Sequence, residues 1–123
     1  MAKRSTKKKS LRVALIGSGG IAGAHMRYLS KMDDVEMVAV ADISKPSMAQ
    51  RQEEFGIESA FTDYRKMLRD VKPDAVSVCT PNGLHAVASI AASKAGAHVL
   101  VEKPMAMTAA EAQKMITAAK TAR

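Results

Sequence analysis

The 123-residue chain has one cysteine, Cys79, and no tryptophan. A single thiol forms no internal disulfide, which suits a reducing compartment. No apolar run approaches the roughly twenty residues that a membrane-spanning helix requires. The basic opening, MAKRSTKKKSLR, leads only into a short apolar stretch and then glycines. It also lacks an Arg-rich amphipathic repeat, so it reads as neither a secretory leader nor a transit peptide. The expected location is the cytoplasm, with no membrane contact. His25, His85 and His98 lie far apart without metal-ligand spacing, so no metal site is expected.

Acidic residues are missing from the first twelve positions, which hold Lys3, Arg4, Lys7, Lys8, Lys9 and Arg12. The net charge of +7 therefore sits almost wholly there, and the remainder is near neutral. The sequence divides into a basic tail over 1–10 and one domain over 11–123. The tail is a candidate contact for nucleic acid or an anionic surface, and the competing reading is a solvated, disordered segment. No aromatic residue stands among its lysines for bases to stack on, which weighs against nucleic acid. The whole chain is 47% hydrophobic and 25% charged, enough for a buried core.

What is present is an alternation of short apolar runs with longer helical patterns. Strands are expected at 11–17, 35–42, 59–63, 74–80 and 98–102. Helices are expected at 21–32, 45–56, 63–70, 84–96 and 108–120. Pro46 stands near the start of the second helix, Gly56 and Gly96 stand at helix ends, and Thr108 with Glu111 has capping-box spacing. Strands joined by short loops and helices give an α/β fold with a doubly wound parallel sheet, a Rossmann arrangement of order 3-2-1-4-5.

Four of the seven glycines fall between positions 17 and 23, where the first strand gives way to the first helix. The stretch Gly17-Ser18-Gly19-Gly20-Ile21-Ala22 reads G-x-G-x-x-A, the dinucleotide fingerprint. Gly17 would make the tight turn, Gly19 would let the backbone approach a pyrophosphate, and Ala22 would let helix pack on strand. The helix N-terminus, with Gly20 and Ile21, adds free N–H groups and a positive dipole end. Asp42 follows about twenty residues on, at the end of the second strand, where an acceptor for the adenosine ribose hydroxyls belongs. A plain turn aspartate is its other reading. A carboxylate there repels a 2′-phosphate and favours NAD, while nearby Lys45 keeps NADP open.

Two later stretches, CTPNGLHA (79–86) and VLVEKPMAMT (99–108), join the fingerprint and Asp42 in a characteristic order. Together they resemble the amino-terminal domain of the Gfo/Idh/MocA family, which includes glucose–fructose oxidoreductase and inositol dehydrogenase. The resemblance runs from about residue 11 to the end. It implies that Thr80, Pro81, Asn82 and His85 line the cofactor near its pyrophosphate and nicotinamide half. It implies that Glu102 contacts the nicotinamide ribose region, and that Lys103 faces the substrate hydroxyl or carbonyl and moves its proton. Pro104 would fix the backbone beside it. His25 matches a family histidine, with a packed helix residue as its other reading. Cys79 reads as a buried small hydrophobe and His98 as a surface residue.

Family members carry a second, α+β domain that binds the sugar or polyol, and this sequence shows no counterpart. The reading is therefore the nucleotide-binding part of an NAD(P)-dependent oxidoreductase, competent in hydride transfer only with a second domain. A free-standing NAD-binding module without enzyme activity is the alternative, and nucleic-acid binding through the tail a weaker one. The last strand, 98–102, would lie at the sheet edge with an apolar run and unpaired backbone. Self-association through it is expected unless the final helix covers the edge.

Overall fold

The computed structural model describes residues 10–122. The basic segment, and with it the expected tail contact, lies outside the described residues apart from Ser10. Chain order is β1 (Leu11–Ile16), α1 (Gly20–Leu29), β2 (Val35–Ala41), α2 (Lys45–Phe55), β3 (Ser59–Phe61), α3 (Tyr64–Val71), β4 (Ala75–Val78), a short 3₁₀ turn (Asn82–Leu84), α4 (His85–Lys94), β5 (His98–Val101) and α5 (Ala109–Ala122). The five strands form one sheet of order β3-β2-β1-β4-β5. Every pairing is parallel. This is the doubly wound order expected from the alternation of elements.

The sheet is covered on both faces because its central strands are apolar at successive positions. Ala14, Ile16, Ala39, Ala41, Val76 and Val78 point to one side, where Met67 and Leu68 of α3 and Ala88 and Ala92 of α4 complete a core. Leu15, Val40 and Cys79 point to the other, against Ala22 and Met26 of α1 and Met48 of α2. The register of β1 on β2 slips between Val13 and Ala14, so Val38 has no partner across the ladder. Both ladders of β1 remain in step at its carboxyl end, where the chain leaves the sheet.

Helix boundaries follow local chemistry. Ser44 caps α2 by accepting from the Ser47 N–H, Pro46 lies in the first turn, and Gly56 closes it in the left-handed region at φ 71°. Asp63 caps α3 through the Arg65 N–H. After α4, the Ala97 N–H reaches the Ala92 carbonyl and the Gly96 N–H the Ser93 carbonyl, with Gly96 at φ 91°, a Schellman closure. Helix α1 ends three residues before the expected 32. The Ser30 hydroxyl donates to the Arg27 carbonyl, and Lys31 and Met32 fold into a turn. The Thr108 hydroxyl accepts from the Glu111 N–H as expected. Glu111 returns its bond to Met107 N rather than to Thr108, one residue earlier than the standard box.

Helix α5 packs against α4. Leu100, in the edge strand β5, is left 61% exposed. No described helix is long and apolar enough to cross a membrane.

Two glycines differ in what they would lose as alanine. Gly56 has open space at its Cβ position and only its positive φ to satisfy. Gly17 has φ 109° and a Cβ position 2.5 Å from the Cys79 carbonyl oxygen. Gly56→Ala is expected to cost about 1 kcal/mol, the ordinary penalty for a left-handed residue. Gly17→Ala should exceed about 3 kcal/mol or prevent folding, because strain and backbone overlap combine. Urea denaturation of the two variants checks the ranking.

Candidate functional site

A groove of about 510 Å³ opens where β1, β2 and β4 end. Its walls include Gly17, Gly19, Gly20, Ile21, Asp42, Thr80 and Pro81, seven of the residues singled out from the sequence. This is the topological switch point, where the chain leaves the central strand in one direction and returns in the other. The turn itself is built by close approach. Gly17 N donates to the Ala41 carbonyl at 2.7 Å, and the Cys79 N–H donates to the Ile16 carbonyl at 2.8 Å. Gly19 then precedes α1 with no side chain to cap it.

Asp42 is fixed before any ligand arrives. Its Oδ2 accepts from Ser18 N at 2.8 Å and from Ser18 Oγ at 2.6 Å, and its Oδ1 accepts from Ser44 N at 3.0 Å. Burial pushes the carboxyl up, but the bonds from the Ser18 hydroxyl and from the N–H groups of Ser44, Ser18 and Ile43 outweigh that, and its pKa ends below the usual value. Asp42 is thus an anion near neutral pH, with acceptor capacity left on Oδ1. The Ser18 oxygen also lies 2.7 Å from Ser47 Oγ. The Ser18 carbonyl accepts from Ser47 Oγ and from Arg51 Nε, both at 3.0 Å, and Arg51 Nη2 donates to the Gly19 carbonyl at 3.0 Å.

Two histidines tie β4 and the loop that follows it to the segment after β5. His25 of α1 places Nδ1 2.6 Å from Ser77 Oγ and Nε2 2.7 Å from Glu102 Oε2. Glu102 is therefore tied to the helix that opens at the glycine turn. His25 is more than a packed helix residue. His85, expected to line the cofactor, is buried beside the groove rather than in its wall. It is 1% exposed, with Nδ1 2.7 Å from the Pro104 carbonyl and Nε2 2.8 Å from the Thr80 carbonyl. Its ring is spent on backbone, where it ties the Thr80-Pro81-Asn82 segment to the Glu102-Lys103-Pro104 segment.

Ala22 is also turned from the groove. It is fully buried against Leu15 and Val40, and its part in the fingerprint is helix-to-strand packing. Asn82 and Lys103 are exposed, and the Lys103–Pro104 peptide bond is cis. Cys79 is a buried hydrophobe as expected, and His98 is exposed at the start of β5. Among the described residues no cluster of His, Cys, Asp and Glu could hold a metal ion.

The sequence reading missed Ser18 and Arg51. Ser18 occupies the variable position of the fingerprint, and only its 1% exposure shows that it faces inward. Arg51 carries no motif. A faint signal was Gly23, a glycine inside a helix, where it costs about 1 kcal/mol against alanine unless space demands it.

The groove fits a dinucleotide on the structure's own terms. A Cβ on Gly19 or Gly20 would meet nothing within 4 Å, so the turn leaves open room where a pyrophosphate would lie. Thr80 Oγ1 is buried without a hydrogen-bond partner at the groove wall. The fold and this site define the chain as an NAD-binding Rossmann domain. A family model for the oxidoreductase family GFO_IDH_MocA, NAD-binding Rossmann fold, matches residues 11–123. The chain belongs to the Gfo/Idh/MocA family. It is 46% identical over 112 residues to D-glucoside 3-dehydrogenase of Escherichia coli, covering 89% of this chain and 32% of that protein. It is 33% identical over 112 residues to myo-inositol 2-dehydrogenase of Thermotoga maritima, covering 91% and 34%. Its fold matches the WlbA dehydrogenase of Chromobacterium violaceum, solved with NADH and UDP-GlcNAcA, at TM-score 0.89 and 36% identity, covering 94% of this chain and 33% of that one. The chain thus spans about a third of the length of the relatives it matches.

Burial pushes the Cys79 thiol up to about 11, the Ser77 hydrogen bond opposes this, and the Glu102 charge adds to it. The folded thiol at pH 8 should therefore react with an aromatic disulfide reagent at least about a hundredfold more slowly than in the urea-unfolded chain, since thiolate is the reacting form. Equal rates in the two states would remove the buried placement of Cys79.

Proposed function

We propose that this chain is the cofactor-binding part of a dehydrogenase that moves a hydride between nicotinamide and a sugar or polyol hydroxyl or carbonyl, acting with a second, substrate-enclosing domain. The observation that carries the reading is the pre-set Asp42 beside an open glycine turn, in a groove that the polar residues after β4 also reach. Backbone N–H groups of Gly19 and Gly20 would hold the pyrophosphate at the N-terminus of α1. Gly17 makes the turn, Ile21 of the groove wall would lie against the cofactor, and Ala22 keeps α1 close to the sheet. Asp42 Oδ1 would accept from the adenosine ribose hydroxyls. Thr80, Pro81 and Asn82 would border the nicotinamide half, and Glu102 the nicotinamide ribose.

When bound, the nicotinamide supplies or takes the hydride. Lys103 is assigned the proton: its Nζ would exchange one with the substrate oxygen as the carbon changes oxidation state. His85 acts behind these residues by holding both their loops. A sugar or polyol is favoured because the chain's resemblance to dehydrogenases of glucosides and inositols extends across all its motifs. The buried, reduced thiol suits a reducing compartment, and the cytoplasm is the proposed location.

Titration of NADH and NADPH into the purified chain tests the site. NADH should bind in preference to NADPH. Gly19→Val should weaken NADH at least about a hundredfold, because a branched side chain would fill the pyrophosphate position. Asp42→Ala should shift the NADH/NADPH preference by about tenfold or more, since the acceptor and its repulsive charge leave together. Unchanged affinity in Gly19→Val refutes the groove assignment.

Self-association through residues 98–102 is the second proposal. Leu100 is exposed on the edge strand, and no proline or lysine interrupts the apolar run Val99-Leu100-Val101. Light scattering over a concentration series should show growth for the wild-type chain and a monomer for Leu100→Lys. A wild-type monomer at high concentration overturns it.

A further inference from the structure

We propose that Arg51 and Gly23 form a matched pair that holds the dinucleotide-binding turn in its binding shape, with Arg51 as a positioning residue for the N–H groups of Gly19 and Gly20. The proposal rests on the cofactor reading of the glycine turn given above.

The geometry is specific. Arg51 reaches from α2, donating through Nε to the Ser18 carbonyl and through Nη2 to the Gly19 carbonyl, both at 3.0 Å. Each peptide group is planar and trans, so its C=O and its N–H point in opposite directions. The Ser18 carbonyl shares a plane with the Gly19 N–H, and the Gly19 carbonyl shares one with the Gly20 N–H. A guanidinium that pins those two oxygens on the α2 side turns those two N–H groups the other way. Ser47 Oγ also donates to the Ser18 carbonyl and the Gly23 N–H to the Gly19 carbonyl, but Arg51 is the side chain that bonds both oxygens at once. With no Cβ on Gly19 or Gly20, the backbone between them has few steric restraints of its own. The rigid fork of arginine suits two neighbouring acceptors, and charge-assisted bonds are the stronger kind.

Gly23 explains itself through the same contact. It lies inside α1 with no positive φ, so its backbone does not require glycine. A Cβ there would lie 2.6 Å from Arg51 Cζ and Nη2 and 2.7 Å from Nη1. The glycine is the space in which the guanidinium sits. Arg51 Nη1 is bound to Glu54 Oε1 at 2.8 Å. All three guanidinium nitrogens are thus engaged within the chain, which sets Arg51 apart from a reader of a 2′-phosphate.

The test is a double-mutant cycle on the full chain, with NADH affinity from isothermal titration and thermal unfolding of the ligand-free protein. R51A and G23A should each weaken NADH by about tenfold, the scale of a lost charge-assisted contact. The double variant should be no weaker than R51A alone, and should unfold at a higher temperature than R51A because alanine favours the helix. R51K, which keeps the charge and loses the fork, should recover only part of the affinity. Additive losses, unchanged affinity in R51A, or full recovery in R51K would each overturn the pairing. Should R51A not fold, G23A and R51K decide it by the same criteria. Should the wild-type chain itself not bind NADH, the cofactor reading fails separately. Amide exchange at Gly17, Ser18 and Gly23 in the ligand-free chain then decides the proposal: faster exchange in R51A supports it, and unchanged exchange overturns it.

Discussion

Where β1 ends, the backbone of Gly17 passes so close to the carbonyl of Cys79 that no side chain fits between them. That approach joins the ends of the two central strands, and the groove depends on it. With β1 and β4 in contact, the chain must leave β1 over the top of the sheet, and α1 then begins with its free N–H groups facing the gap. A wider separation would have allowed any residue at position 17. It would also have moved the glycine turn away from Thr80 and Pro81, which form the opposite wall.

Ser18 is buried and polar, which is costly unless every donor and acceptor is met. Its N–H and hydroxyl go to Asp42, and its carbonyl takes Ser47 and Arg51. The result is a carboxylate held at the end of β2 without ligand, so less ordering remains to be done on binding. The order of effects on Asp42 is instructive. Burial alone would favour the neutral acid, and the hydrogen bonds reverse the outcome. The residue that receives these bonds also lines the groove.

The fold was legible because its signals are periodic and local. Apolar runs in β1 and β4, the cap at Asp63, and Gly56 and Gly96 at helix ends each act within a few residues, and the structure follows them closely. The glycine turn and Asp42 were legible because their spacing is set by one strand–helix–strand unit. The contacts of His85 were not legible in the sequence. A histidine five residues after Thr80 opens α4, and only the return of β5 shows that its ring meets the carbonyls of Thr80 and Pro104. Arg51 lies 33 positions from Ser18, and nothing in its neighbourhood marks the long-range contact.

The contacts of His25 carry a further lesson about reading geometry. Ser77 Oγ, His25 and Glu102 stand in a line with separations of 2.6 and 2.7 Å, the distances of a hydrolytic triad. The resemblance does not extend to accessibility. Ser77 is 2% exposed, inside β4, with Cys79 Sγ 3.7 Å away. No acyl group could reach its oxygen without opening the sheet. Both ring nitrogens of His25 are met within the chain, by Ser77 Oγ and Glu102 Oε2, so the line is satisfied as it stands. It is an anchor, and its product is a fixed Glu102 at the start of the segment that carries Lys103. His85 performs the matching task from the other side, through Pro104. The two histidines bracket Lys103 in sequence space, one tied to the residue before it and one to the residue after. An exposed lysine on a loop would ordinarily have no defined direction. Here the residues on either side of it are held from α1 and α4, elements that the core already fixes.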